Sequence, residues 1–143
     1  MKKRILIAGC SHCLREYITN GLYYLEKGYF LTRLYKKYDV YNLSKKNLTV
    51  KEAIVLVEAF INKMEFDGIF LALGEGDIIN NVDVNTFKND LNHLIELCNS
   101  KNISIVLHNE VKKINKDYSH VIDSLQKENN FSFKVVSNKI VKA

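Results

Sequence analysis

Gly68-Ile69-Phe70-Leu71-Ala72-Leu73-Gly74 is an unbroken apolar run closed by a glycine at each end. A strand with one wet face alternates apolar and polar residues, because successive side chains point to opposite sides. This run does not alternate, so it reads as a strand covered on both faces, as in the middle of a parallel sheet layered between helices.

Four further β-rich runs lie at Arg4–Gly9, Tyr38–Leu43, Ile103–His108 and Phe131–Val136. Between them the apolar residues fall at helical spacing. Cys13 to about Lys27 carries Leu14, Tyr17, Ile18, Leu22 and Leu25. Val50–Met64 carries Ile54, Val57, Ile61 and Met64, with Thr49 placed to cap it. Val84–Ser100 sets Phe87, Leu91, Leu94, Ile95 and Cys98 on one stripe, and Lys113–Asn129 does the same with Ile114, Tyr118, Val121, Ile122 and Leu125. Strands alternating with helices predict βαβ units. The expected architecture is a single α/β domain over residues 1–143, a three-layer α/β/α sandwich around a five-stranded parallel sheet in the flavodoxin-like order 2-1-3-4-5. Ligands of such sheets bind beyond the carboxyl ends of the strands, near the switch point. That rule singles out the loops Gly9–Cys13, Gly74–Asn81 and His108–Glu110.

Composition narrows the class. At 143 residues, 47 % hydrophobic and 26 % charged, the chain has the bulk of one globular domain. The net charge of +5 is spread over separate pairs such as Lys2-Lys3, Lys36-Lys37, Lys45-Lys46 and Lys112-Lys113, with no basic face, so no nucleic-acid partner is expected. Three cysteines, an odd number, fit a reducing compartment better than a disulfide framework. Met1-Lys2-Lys3-Arg4 leads straight into a strand with no leader-like apolar segment, so a cytoplasmic protein with no membrane partner is expected.

The loop Gly9-Cys10-Ser11-His12-Cys13 joins a strand to the next predicted helix. Ser11 stands where either a nucleophile or a helix cap would sit. Neither a dinucleotide fingerprint nor a P-loop is present, since no second glycine follows Gly9 at the required spacing. Cys10 and Arg15 are one residue short of a cysteine-phosphatase spacing, though a thiol at a helix N-terminus still permits cysteine-based phosphoryl transfer through Cys10. Cys10, His12 and Cys13 have no second Cys/His pair to complete a metal site, so neither metal nor cofactor is expected.

Two segments together resemble the SGNH (GDSL-type) hydrolase family. Ile5-Leu6-Ile7-Ala8-Gly9-Cys10-Ser11 is similar to its first block, a strand followed by Gly-Asp-Ser. Phe70-Leu71-Ala72-Leu73-Gly74-Glu75-Gly76-Asp77 is similar to its third, a buried strand followed by Gly-x-Asn-Asp. Tyr41–Thr49 echoes the second block. The resemblance implies Ser11 as nucleophile, with an oxyanion held by backbone N–H groups of the first two blocks and a side chain of the third. It also implies a histidine base oriented by an aspartate. Cys10 stands in place of the family Asp, Asn47 in place of the second-block Gly, and Gly76 in place of the third-block Asn. Loss of one side-chain donor costs about 3–4 kcal/mol of transition-state stabilisation, unless Asn80 or Asn81 reaches in.

The family's last block, Asp-x-x-His, is matched literally by Asp117-Tyr118-Ser119-His120, but ahead of the fifth predicted strand rather than after it. The residues that follow that strand, Ser137 to Ala143, contain no Asp or His. His108, at the end of the fourth strand with Glu110 two residues on, is the alternative base. The resulting expectation is an esterase-like acyl hydrolase or acyltransferase acting on a small acyl ester through a degenerate site. The alternative is an inactive SGNH-like domain that binds a small ligand or a partner protein. Either reading admits a homo-oligomer.

Overall fold

The computed structural model describes residues 2–10, 13–19, 22–27, 32–136 and 139–143. In chain order these form β1 (Arg4–Gly9), β2 (Leu14–Thr19), β3 (Leu22–Lys27), α1 (Thr32–Lys37), β4 (Asp39–Asn42), α2 (Val50–Ile61), β5 (Gly68–Ala72), α3 (Glu75–Ile79), α4 (Val84–Ser100), β6 (Ser104–Leu107), α5 (Lys116–Asn129), β7 (Phe133–Val136) and β8 (Lys139–Lys142). β4, β1, β5 and β6 make a parallel sheet in that order, the predicted 2-1-3-4 sequence of strands. β5 lies inside, with Ile69, Phe70, Leu71 and Ala72 at most 2 % exposed, as its unbroken apolar run requires.

One face of the sheet offers Leu6, Ala8, Ile69, Leu71, Ile105 and Leu107 to α2, α4 and α5. Each of those helices begins at a side-chain cap. Thr49 accepts from the Glu52 N–H while Glu52 reaches back to the Thr49 N–H, a reciprocal capping box. Asp83 caps α4 and Asn115 caps α5. The other face presents Ile7, Phe70, Ala72 and Val106, over which pack Leu34 and Tyr35 of the α1 helix and Phe133, Val135 and Ile140 of the C-terminal hairpin.

Two expectations are corrected. The helix expected from Cys13 to Lys27 is a β-hairpin, with Leu14 opposite Lys27 and Thr19 opposite Leu22. Its sequence mixes apolar positions that satisfy a helical period with a high content of Tyr, Ile and Thr, and its register leaves Asn20-Gly21 between the strands. That dipeptide, itself outside the described residues, is the strongest short-range hairpin signal in a sequence. The expected fifth strand, Phe131–Val136, does not join the sheet. Its residues from Phe133 onward pair antiparallel with Lys139–Lys142, so the parallel sheet has four strands and β7 runs beside β6 without a ladder to it. Val135 and Ile140 are cross-strand partners and both turn inward, so the hairpin covers the second face without becoming part of the sheet.

Candidate active site

Ser11 and His12 lie outside the described residues. The residues around them converge at the carboxyl ends of β1, β5 and β6. Gly9 is paired with Ala72, and the Cys10 N–H continues the ladder to Ala72 O at 3.2 Å. The Cys10 side chain is fully buried and donates its thiol proton to Leu48 O at 3.2 Å. The Gly76 N–H faces the same sulfur. The first, second and third family-like segments therefore meet around one sulfur atom.

The second-block and third-block segments interlock tightly. Asn47 has φ +60°, a left-handed conformation that glycine adopts freely and asparagine tolerates better than most residues. Gly76 is buried in the first turn of α3, where an added Cβ would lie 2.6 Å from Asn47 O and would collide with Leu48 O. The third-block asparagine of the family therefore has no counterpart, and no room for one. Asn80 and Asn81 do not fill the gap. The Asn80 carboxamide donates back to Gly76 O at 2.7 Å, and Asn81 is an exposed turn residue with φ +55°. Gly74 supports the turn into α3 with φ +128°, and a Cβ there would press on Val111 at 3.1 Å. Asp77 is buried, and its Oδ1 accepts the Val50 N–H at 3.0 Å, tying α3 to the start of α2. Burial pushes its carboxyl up to about 6.

His108 follows β6, which places it two strands from Gly9 at the same rim. Its N–H donates to Leu71 O at 2.8 Å, and its half-buried ring stacks on Phe70 with centroids 6.0 Å apart. Asp117 and His120 are both exposed on α5. The side of that helix facing the rim is carried by Ser119 and Asp123, which Asn109 Nδ2 contacts at 2.9 and 3.1 Å. His120 is a single step along the helix from Ser119, about 100° around it. The Asp-x-x-His match therefore lies on the outside of α5, while His108 is in the rim.

Glu110 is the site residue that sequence reading underweights. Both of its carboxyl oxygens are buried, with the Cys10 thiol and the Glu75 N–H turned toward them. Burial pushes its pKa up to about 7, against the Cys10 thiol and the Glu75 N–H, which favour its charged form; the Glu75 carboxylate raises it further. Burial, with Glu110 beside it, also drives the Cys10 thiol far above its ordinary value and the Cys13 thiol up to about 12. A nucleophilic cysteine needs the opposite shift. The cysteine-based phosphoryl-transfer reading is thus opposed by the burial and protonation of Cys10. Among the described residues no cluster of three or more His, Cys, Asp or Glu could hold a metal ion, and no helix is long and apolar enough to cross a membrane.

Sheet order and the flanking helices give an α/β/α fold that is SGNH-like, the fold of several solved esterases. The chain is similar to a proposed lipolytic protein of the G-D-S-L family from Desulfitobacterium hafniense, at 18 % identity and a TM-score of 0.72, over 97 % of this chain and 84 % of that one. It is also similar to a psychrotrophic esterase from a Pseudoalteromonas species, at 18 % identity and 0.68, over 90 % of this chain and 74 % of that one. An acetylxylan esterase from Geobacillus stearothermophilus aligns at 14 % identity and 0.63, over 94 % of this chain and 75 % of that one. No family model and no curated protein matches the sequence. At these identities the likeness is one of fold.

Proposed function

We propose that this chain is a serine acyl hydrolase or acyltransferase of SGNH type, acting on a small acyl ester with Ser11 as nucleophile and His108 as base. The observation that carries the reading is the meeting of Cys10, the Asn47–Leu48 backbone, Gly76 and Glu110 at one end of the sheet, one residue from Ser11. In this reading Ser11 Oγ attacks the ester carbonyl while His108 takes its proton and passes it to the departing alcohol. Water, or a second alcohol, then cleaves the acyl-serine by the reverse proton route. The developing oxyanion relies on backbone N–H groups alone, because Gly76 brings no side-chain donor. Catalysis slower by the roughly 10²–10³-fold that one such donor contributes is expected. A non-catalytic domain that binds a ligand or partner is the second reading, favoured by the same filled space at Gly76.

Hydrolysis of p-nitrophenyl acetate and butyrate separates them. Ser11→Ala and His108→Ala should each lower kcat by at least 10²-fold, while His120→Ala stays within twofold of wild type. Loss of activity in His120→Ala with retention in His108→Ala would reassign the base. Absence of turnover by the unaltered protein supports the non-catalytic reading.

A further inference from the structure

β6 is the last strand of the sheet, and β7 turns away to pair with β8. Between β6, α5 and β7 this leaves a cavity of about 610 Å³, within the range of small-molecule sites. The Gln126 carboxamide bridges from α5 to Leu107 O at the strand's outer edge, so this helix is fixed against the strand on one side of the cleft. Phe131, Phe133 and Val135 supply apolar wall, and His108 and Asn109 line it where it reaches the rim of the candidate active site. Three exposed lysines, Lys112, Lys127 and Lys134, also line it and put three positive charges at its wall or mouth. None of the three forms an ion pair among the described residues. The one carboxylate side chain in the wall, Asp123, is held by Asn109 Nδ2 at 3.1 Å. Ala143, the last residue of the sequence, lines the cavity too, its N–H bonded to Ser132 O at 2.9 Å, beyond the C-terminal end of α5.

We propose that this cavity is a substrate subsite for an anionic group, a carboxylate or a phosphate, carried on an ester whose apolar portion rests on Phe131 and Phe133. Because His108 is both a wall of the cavity and the base assigned above, the subsite rests on the hydrolase reading. An anion seated among the lysines places the rest of the ester toward the rim. Exposed ammonium groups attract an anion in a salt-dependent way. The preference for anionic esters should therefore be moderate and should shrink with ionic strength.

The test compares the mono-p-nitrophenyl ester of succinate with p-nitrophenyl butyrate, which has the same chain length without the charge. The succinate ester should show a KM lower by about five- to tenfold at low salt. In the double variant Lys127→Ala/Lys134→Ala the ratio of the two KM values should fall to within about twofold, as it should for unaltered protein in 0.5 M NaCl. Equal KM values in the unaltered protein, or a ratio untouched by the double variant, would overturn the subsite. Amide NMR titration with succinate and with inorganic phosphate reads the subsite without turnover. Shifts confined to His108–Lys112 and Phe131–Val135, and lost in the double variant, support it even where no ester is hydrolysed. No shift with either anion overturns it, and the tighter of the two identifies the anionic group.

Discussion

At the residue scale the molecule's most unusual feature is Glu110. A charged carboxylate with both oxygens buried is unfavourable, and the Cys10 thiol and Glu75 N–H beside it do not offset that cost, so the group holds its proton up to a pKa of about 7. Its folded-state pKa is raised, so the folded protein binds more protons than the unfolded chain between the two values. The resulting stabilisation is complete below the ordinary glutamate range and is lost as pH rises through about 7. Asp77, raised to about 6, acts in the same direction. Among the described residues, the groups facing Glu110 are the thiol of Cys10 on the β1 side and the N–H and carboxylate of Glu75 on α3, with Cys13 within electrostatic reach. Denaturant unfolding should show stability falling from pH 5 to pH 8, and Glu110→Gln should flatten that decline, with a gain on the order of 3 kcal/mol at pH 8. A variant whose decline matches the wild type would place the titration elsewhere. Glu110 was legible in the sequence only as a neighbour of His108. Its burial depends on Cys10, some hundred residues away, which no local pattern records.

At the element scale, the contact between α3 and the Asn47–Leu48 backbone decides what catalytic apparatus remains. Restoring the family residue with Gly76→Asn has two opposed outcomes on paper, a regained oxyanion donor or a steric collision. The obstructing atoms are backbone, which cannot swing aside as a side-chain tip can. Collision should prevail: a loss on the order of 3 kcal/mol and a melting temperature lower by roughly 6–12 °C, with no rise in kcat. Thermal unfolding followed by circular dichroism, with esterase assays alongside, measures both. An unchanged melting temperature with faster turnover would mean that space for the side chain exists.

Elements fixed by short-range chemistry were legible. α2 follows from Thr49 and Glu52, α4 from its stripe of Phe87, Leu91, Leu94 and Cys98, and β5 from its unbroken apolar run. From Cys13 to about Lys27 the sequence satisfies a helical spacing and a strand-forming composition at once, and the Asn20-Gly21 pair carries the distinction that the hairpin bears out. Within the expected strand Phe131–Val136, residues Phe133–Val136 do form a strand, but its partner is β8 and not the parallel sheet, because pairing with β6 or with β8 is a tertiary choice that a short alternation cannot encode.

For the whole molecule, the four-stranded parallel sheet brings three loops to one rim and leaves a basic-walled cleft where a fifth strand was expected. The SGNH-like fold follows from those connections, whereas the chemistry depends on the hydroxyl of Ser11 being activated at that rim. The most direct test is incubation of the intact protein with a fluorophosphonate, which forms a covalent adduct with an activated serine hydroxyl. Mass spectrometry should find one covalent adduct, mapped to Ser11 by peptide sequencing and absent from Ser11→Ala. A folded protein that takes up no phosphonate, or that is labelled equally after Ser11→Ala, would contradict the serine-hydrolase account.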